Sequence, residues 1–431
     1  MTPSPNEPDT IFALASGGLP SGIAVVRISG PASWDVALNL CSDLPQAGRF
    51  GVRTVRGSDG EEIDSGLVLV FQAPNSFTGE DVIEFHLHGS VAVVERLGDI
   101  LREHGLRPAE PGEFTKRAFE NGRLDLTEVE GLSDLIDAET EAQRRLAVAQ
   151  AGGALRRLYE GWRERLLHAR AMIEAELDFA DEGDVPDDAS SAVAAQVASL
   201  AEEMREHLAT GRDGEIVREG FRVVLLGPTN AGKSTLLNSL AGRDAAIVTD
   251  QPGTTRDVVR VEIERNGQRI IVSDTAGLRQ SDDVVEQEGM RRARELAAKA
   301  DLRIWLSAVD DPAEPDTALG EVLRVRTKAD LDMPDGLAIS CRTSDGLDAL
   351  LAEIDRRLPN VPTDGGVATR SRHRAGVQAA LEHMNGLSAD RELELQAEHL
   401  RLAASALGRV TGQTDVEDLL GVIFSRFCVG K

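Results

Sequence analysis

Three features are scarce in this sequence, and each scarcity removes a class of protein. No uninterrupted apolar run approaches the roughly 20 residues that a helix needs to cross a bilayer, so a membrane-spanning chain is not expected. The three cysteines, Cys41, Cys341 and Cys428, lie far apart without a Cys-x-x-Cys pair, which argues against a disulfide framework or a zinc site. Positive charge is also short: 47 Lys and Arg face 73 Asp and Glu, for a net charge of −26. Broad, sequence-independent binding to nucleic acid draws on clustered cations, so any RNA contact must be local or shared with a partner. The densest acidity, eight acids between Glu174 and Asp188, reads as a solvated helix end and loop. The first nine residues carry two acids and no Lys or Arg, unlike the basic start of a secretory signal, and the expected location is the cytoplasm.

What is present is globular: 41% hydrophobic and 28% charged residues over 431 positions, enough for about three domains at roughly 150 residues each. From Thr10 to about Pro111 the pattern is β-rich, with apolar runs at Ile23–Ile28, Gly66–Phe71 and Val82–Leu87 separated by Gly, Pro and Asn. This predicts an α+β unit over residues 1–120. Near Leu124 the period becomes helical, opening with a capping-box spacing at Thr127 and Glu130. Leu155, Leu158, Trp162, Leu166, Ala169, Ile173 and Leu177 then form one helix face, which is core packing. Asp181–Ser191 reads as a loop, and the next helix is expected to stop near Leu208, before a hinge over Gly211–Gly220.

A new domain follows over 216–362. Its order is strand (Phe221–Leu226), glycine loop, helix (Lys233–Leu240), strand (Val258–Glu264), Asn266-Gly267 turn, strand (Arg269–Ser273), helix, and strand (Leu302–Val309), with a last helix over Gly346–Leu358. That order predicts an α/β nucleotide-binding layer with one antiparallel hairpin. Helical character returns over 363–431, where Val416, Leu419, Leu420, Ile423 and Phe427 share a face. The two helical stretches, 121–215 and 363–431, each have an apolar face to bury, so packing on each other with the nucleotide domain inserted between them is the simplest solution.

Gly227-Pro228-Thr229-Asn230-Ala231-Gly232-Lys233-Ser234 fits G-x-x-x-x-G-K-S/T between a strand and a helix. Glycines let such a loop curl so that its N–H groups, with those of Asn230, Ala231, Gly232 and the helix start through Thr235, face phosphate oxygens. Lys233 neutralises phosphate charge and Ser234 reaches Mg²⁺. A second Mg²⁺ hydroxyl is available at Thr255, in the loop Thr249-Asp250-Gln251-Pro252-Gly253-Thr254-Thr255 ahead of the hairpin. Asp274-Thr275-Ala276-Gly277 follows the hairpin, placing Asp274 for a water-mediated metal contact and Gly277 near the γ-phosphate. Thr327-Lys328-Ala329-Asp330 resembles the N-K-x-D guanine element, whose carboxylate accepts from guanine N1 and N2, donors that adenine lacks. Ser340-Cys341-Arg342 resembles the loop that completes the base site. Each string is weak alone; five in this order on these elements point to a GTPase.

These strings resemble the translation-factor-related GTPases and, among them, the tRNA modification GTPase family MnmE (TrmE). The resemblance also rests on Asp9-Thr10-Ile11, the run Gly22–Gly30, Asn75–Asp81, Pro111–Phe119 and the terminal Phe427-Cys428-Val429-Gly430-Lys431. It implies a multidomain fold: an N-terminal α+β folate-binding-like and dimerisation domain, a discontinuous helical domain, and an inserted Ras-like P-loop domain. It further implies a homodimer that joins an MnmG (GidA)-type flavoprotein as a heterotetramer and modifies C5 of tRNA wobble uridine with a carboxymethylaminomethyl or aminomethyl group. Leu278 stands where a Ras-like enzyme has glutamine, and by resemblance Glu286 aligns the water instead; an ordinary acid at a helix start is the other reading, since Asp282 and Asp283 are close by. No arginine finger is evident, and the resemblance implies K⁺ held by the Asn230 side chain and by carbonyls of Thr249, Gln251 and Thr254. It also implies a tetrahydrofolate derivative, in a 5-formyl or methylene form, bound by Arg27, Glu84, Arg123 and Lys431. Cys428 is a candidate nucleophile, or buried apolar bulk.

Thr327 departs from the family's asparagine. One hydroxyl replaces an amide that can both bond guanine N7 and brace the P-loop, so one bond is expected to be lost while Asp330 keeps the preference for guanine. Two other functions fit parts of the chain: a ribosome-assembly GTPase of the Era or Der kind, and a folate-dependent aminomethyltransferase with a regulatory nucleotide domain. The first would call for a KH-type RNA domain or a second P-loop, and the sequence has neither.

Overall fold

A computed structural model of the chain describes residues 9–178, 189–243, 260–274, 294–332, 335–360, 365–387, 392–414, 417–425, 427 and 429–430. It divides into two units, 1–133 with 407–431 and 134–406.

The first unit is built on a six-stranded sheet in the order β3-β4-β5-β2-β1-β6. Its elements are β1 (Ile11–Leu14), β2 (Ser21–Ser29), α1 (Ser33–Cys41), β3 (Phe50–Arg56), β4 (Glu62–Phe71), β5 (Val82–Gly89), α2 (Val91–Glu103), β6 (Arg107–Pro108), α3 (Glu113–Glu120) and α4 (Leu126–Ile136). The three apolar runs read from the sequence are β2, β4 and β5. Strand side chains alternate between faces, so Ile83, Phe85 and Leu87 of β5 are buried in the core while Glu84 and His86 point to the opposite face. The same alternation, in an antiparallel register that sets Arg27 opposite Glu84, puts those two side chains together. Three strings far apart in sequence meet at one residue: the Arg117 guanidinium pairs with Asp9 at 2.5 Å, Glu113 at 3.1 Å and Glu80 at 3.2 Å.

The helix start near Leu124 is capped two residues earlier than the sequence spacing suggests. The Asp125 carboxylate accepts from the Glu128 N–H at 2.7 Å, and the Glu128 carboxylate accepts from the Asp125 N–H at 2.7 Å. Thr127 lies inside the first turn, where its hydroxyl donates to Asp125 at 2.8 Å. A carboxylate in the N-terminal flank takes the cap because it suits the exposed N–H groups and the helix dipole.

The second unit begins with α5 (Glu141–Ala151), α6 (Ala154–Asp178) and α7 (Ala189–Glu219). The expected stripe on α6 is buried at Leu155, Trp162, Leu166, Ala169 and Ile173, but Tyr159 replaces Leu158 as the deep residue, its hydroxyl 2.9 Å from His207 Nε2. Of the expected loop 181–191, residues 181–188 lie outside the described residues, and α7 has started at Ala189. No hinge interrupts α7: it continues through Gly211 and Gly214 to Glu219 and is followed by Gly220, whose φ of 96° is left-handed. Those two glycines serve close approach. A Cβ on Gly214 would stand 2.3 Å from the Ala368 carbonyl oxygen, and one on Gly211 would stand 2.8 Å from the Arg374 side chain, which pairs with Glu215 at 2.8 Å.

After α7 come β7 (Phe221–Leu226), α8 (Lys233–Arg243), β8 (Arg260–Arg265), β9 (Gln268–Asp274), β10 (Leu302–Ala308), β11 (Leu323–Thr327) and α9 (Leu347–Asp355). The sheet order is β11-β10-β7-β9-β8, parallel except for the β8–β9 hairpin. Asn266 and Gly267, at φ 51° and 74°, make the turn the Asn-Gly pair requires. Gly267 accepts from the Ala142 N–H at 3.0 Å, so the turn docks on the first turn of α5. The chain then returns to helix in α10 (Ser371–Asn385), α11 (Leu393–Thr411) and α12 (Glu417–Phe424). His373 of α10 is fully buried with its ring 6.3 Å from that of Tyr159, so the helical stretches before and after the α/β layer share a core, as their apolar faces required.

Helix α12 belongs to the first unit. Phe424 and Phe427 are buried with Val129, and Leu420 and Ile423 pack against them half-buried; Val416 lies outside the described residues. Pro111 and Val429 form an antiparallel bridge.

Gly214→Ala should lower the thermal transition of the second unit, because overpacking of about 1–3 kcal/mol outweighs the gain of about 1 kcal/mol in helix propensity. Calorimetric melting checks it: a higher melting temperature would show that the close approach of Ala368 does not constrain α7.

Candidate nucleotide-binding cleft

The P-loop joins β7 to α8 through a backbone few residues tolerate. Gly227, Asn230 and Gly232 have φ of 139°, 63° and 86°, and a Cβ on Gly227 would meet the Leu306 carbonyl oxygen of β10 at 2.2 Å. Three side-chain bonds hold the curl. The buried Lys233 ammonium donates to the carbonyls of Gly227 at 2.9 Å and Pro228 at 2.6 Å, and the Thr327 hydroxyl donates to the carbonyl of Ala231 at 2.8 Å. Ser234, in the first turn of α8, donates to Asp274 at the end of β9 at 2.5 Å. A hydroxyl and a carboxylate converging beside a phosphate-type loop are hard oxygen donors of the kind that suits Mg²⁺.

On the other wall, β11 ends at Thr327 and the chain turns through Lys328, at φ 59°, which is tethered to Asp310 at 2.9 Å. The Asp330 carboxylate is fixed on both oxygens: the Ser340 hydroxyl donates to one at 2.7 Å and Arg342 reaches the other at 2.9 Å. These contacts, the Ser340 bond above all, hold the carboxyl below its ordinary range, so it stays an anionic acceptor. Gly346, at φ 73°, lets the following helix start close by; a Cβ there would stand 1.9 Å from the Ala338 carbonyl oxygen.

Between the walls lies a cleft of about 600 Å³ lined by Asn230, Gly232, Lys233, Ser234 and Thr235 on one side and Thr327, Lys328, Asp330, Cys341 and Arg342 on the other. Ala231 and Ser340 stand behind it, as brace point and support for Asp330. The geometry offers N–H groups and an ammonium for phosphate, and a fixed carboxylate for paired N–H donors. Two lining residues were not singled out from the sequence: Thr229, although it lies within the P-loop string, and Leu331. Leu331 is 62% exposed, an apolar side chain beside Asp330 whose only sequence signal is its place after the guanine element.

In the first unit, Arg27 and Glu84 form an ion pair at 2.8 Å, with 21% and 14% of their side chains exposed. This is no ordinary surface pair, since the Arg27 guanidinium lies 5.5 Å from the Phe77 ring and 5.6 Å from that of Phe114. Burial works to raise the Glu84 pKa, but His86 and Arg27 outweigh it and hold the carboxyl below its usual range. Arg123 is exposed, its stem beside Gly79. Lys431 and Cys428 lie outside the described residues, as do 249–255, Thr275, Ala276, Gly277 and Glu286. Cys41 and Cys341 are free thiols, and no group of three or more His, Cys, Asp or Glu among the described residues could hold a metal ion.

Comparison with known proteins decides the family. Residues 126–428 match the model of the MnmE helical domain, and residues 10–123 match that of the GTP-binding protein TrmE N-terminus. The chain belongs to the tRNA modification GTPases. The tRNA modification GTPase MnmE of Sinorhizobium medicae is 51% identical over 98% of this chain and 99% of its own. That of Agrobacterium fabrum is 50% identical over 99% and 100%, and that of Azorhizobium caulinodans 50% identical over 98% and 99%. Membership in this family sets aside the Era or Der alternative. No helix among the described residues is long and apolar enough to cross a membrane.

Proposed function

We propose that this chain binds GTP in the cleft between residues 229–235 and 327–342, hydrolyses it, and uses the cycle to modify tRNA wobble uridine in the cytoplasm as a homodimer with an MnmG-type flavoprotein. The observation that carries the reading is one cleft with a phosphate loop on one wall and a fixed acceptor carboxylate, Asp330, on the other, in a chain of this family. The division into residues 1–120, 121–215, 216–362 and 363–431 goes with it: one-carbon chemistry in the first part, nucleotide in the third, and helices between them. Mass spectrometry of tRNA nucleosides from a deletion strain is the test. Wobble uridines lacking the carboxymethylaminomethyl or aminomethyl group are expected; an unchanged nucleoside profile would sink the assignment.

Ser234, Thr255 and, through water, Asp274 would hold Mg²⁺, with Gly277 beside the γ-phosphate. Asn230 would hold K⁺ with carbonyls of Thr249, Gln251 and Thr254, on the loop that includes Asp250, Pro252 and Gly253. The monovalent cation supplies positive charge against the phosphates, where other GTPases use an arginine. Glu286 would orient the attacking water. GTP hydrolysis should therefore run faster in K⁺ than in Na⁺, and Glu286→Ala should cut turnover while leaving GTP affinity nearly intact. Equal rates in the two salts would remove the cation site, and loss of binding in the variant would move Glu286 out of that role.

The Arg27–Glu84 pair, rimmed by His86 and set against two phenylalanine rings, supports a tetrahydrofolate site in the first unit, with Arg123 and Lys431 as further contacts and Cys428 as a candidate nucleophile. Calorimetry with 5-formyltetrahydrofolate should register binding that Arg27→Ala weakens. No heat from the intact protein would count against the pocket.

A further inference from the structure

Guanine offers a reader two edges. N1–H and the N2 amino group donate, and a fixed carboxylate such as Asp330 can accept from both. N7, on the opposite edge, carries a lone pair and needs a donor. In the cleft the side chain before Lys328 is Thr327, 3% exposed at the end of β11. A threonine hydroxyl has one hydrogen. Here that hydrogen is committed to the Ala231 carbonyl of the P-loop at 2.8 Å, where it braces the curl next to Asn230 at φ 63° and Gly232 at φ 86°. What the oxygen has left are lone pairs, which repel rather than bind the lone pair of N7. Releasing the hydrogen would leave the Ala231 carbonyl without its Thr327 bond in a buried position, which costs more than one exposed hydrogen bond returns.

Resting on the guanine-nucleotide reading above, we propose that this protein reads the N1 and N2 donors of guanine through Asp330 and leaves N7 unread, so that it accepts a nucleotide in which N7 is replaced by C–H. A base in which N7 is replaced by C–H keeps every contact the cleft makes with guanine. The N7 of GDP stays with water, bound and free, and removing it changes neither state.

The test is calorimetric titration of the full-length protein with GDP, 7-deaza-GDP and ADP. The native protein is expected to bind 7-deaza-GDP at least as tightly as GDP, within about twofold, whereas one lost hydrogen bond would weaken it by about two- to tenfold. Thr327→Asn supplies an amide that can donate to N7, so GDP should tighten by about two- to tenfold while 7-deaza-GDP does not. Thr327→Val removes the brace and should weaken both ligands together, leaving their ratio unchanged. Weaker binding of 7-deaza-GDP than of GDP by more than about twofold in the native protein overturns the proposal, whatever the variants do, and leaves the guanine reading standing. ADP bound as tightly as GDP would instead remove the guanine reading itself.

Discussion

A backbone that curls around phosphate must give up ordinary dihedrals and leave its carbonyls pointing away from the ligand, and both costs have to be met by the surroundings. In this chain the carbonyls of Gly227 and Pro228 are held by Lys233 from within the motif, and that of Ala231 by Thr327 from a strand about a hundred residues later. Gly227 also needs the absence of a side chain to lie against β10. The phosphate wall is therefore shaped by the base wall, and a residue recruited for one task constrains the other: the hydroxyl that braces the loop has no hydrogen left for a ligand.

The same economy links the α/β layer to its helices. The β8–β9 hairpin ends at Asp274, and its Asn266-Gly267 turn accepts an N–H from α5. Arg265 pairs with Asp355 at 2.7 Å and Arg269 with Glu139 at 3.1 Å, so the hairpin is anchored at both its turn and its flank. A shift at the turn end of these strands meets α5 and α9 rather than solvent.

In the first unit one arginine does comparable work. Arg117 gathers carboxylates from the chain's start, from the Asn75–Asp81 string and from its own helix, and this explains why strings so far apart share one region of the fold. Exposed ion pairs contribute little, but Arg117 is only 11% exposed and meets three carboxylates at once, two of which, Asp9 and Glu113, are shared with Arg107 in one network.

Periodicity and turn chemistry are local properties, and the sequence by itself determined what depends on them: the strands at 23–28, 66–71 and 82–87, the α6 stripe, the Asn-Gly hairpin, the P-loop between strand and helix, and the order of the guanine elements. Burial and partner choice are not local. Tyr159 deep where Leu158 fits the same period, and the unbroken α7 through two glycines, were decided by neighbours distant in sequence, whereas the cap at Asp125 rests on Glu128 three residues on and was a local signal passed over for Thr127. Gly211 and Gly214 look like a hinge because flexible chains use glycine, yet the space beside them is filled by Ala368 and Arg374, and a missing Cβ serves contact as readily as motion. Thr327 is the sharpest case. Its identity shows in the sequence that an amide is gone; only the fold shows where the hydroxyl hydrogen went, because a hydrogen bond is settled by the acceptor within reach and not by the residue alone.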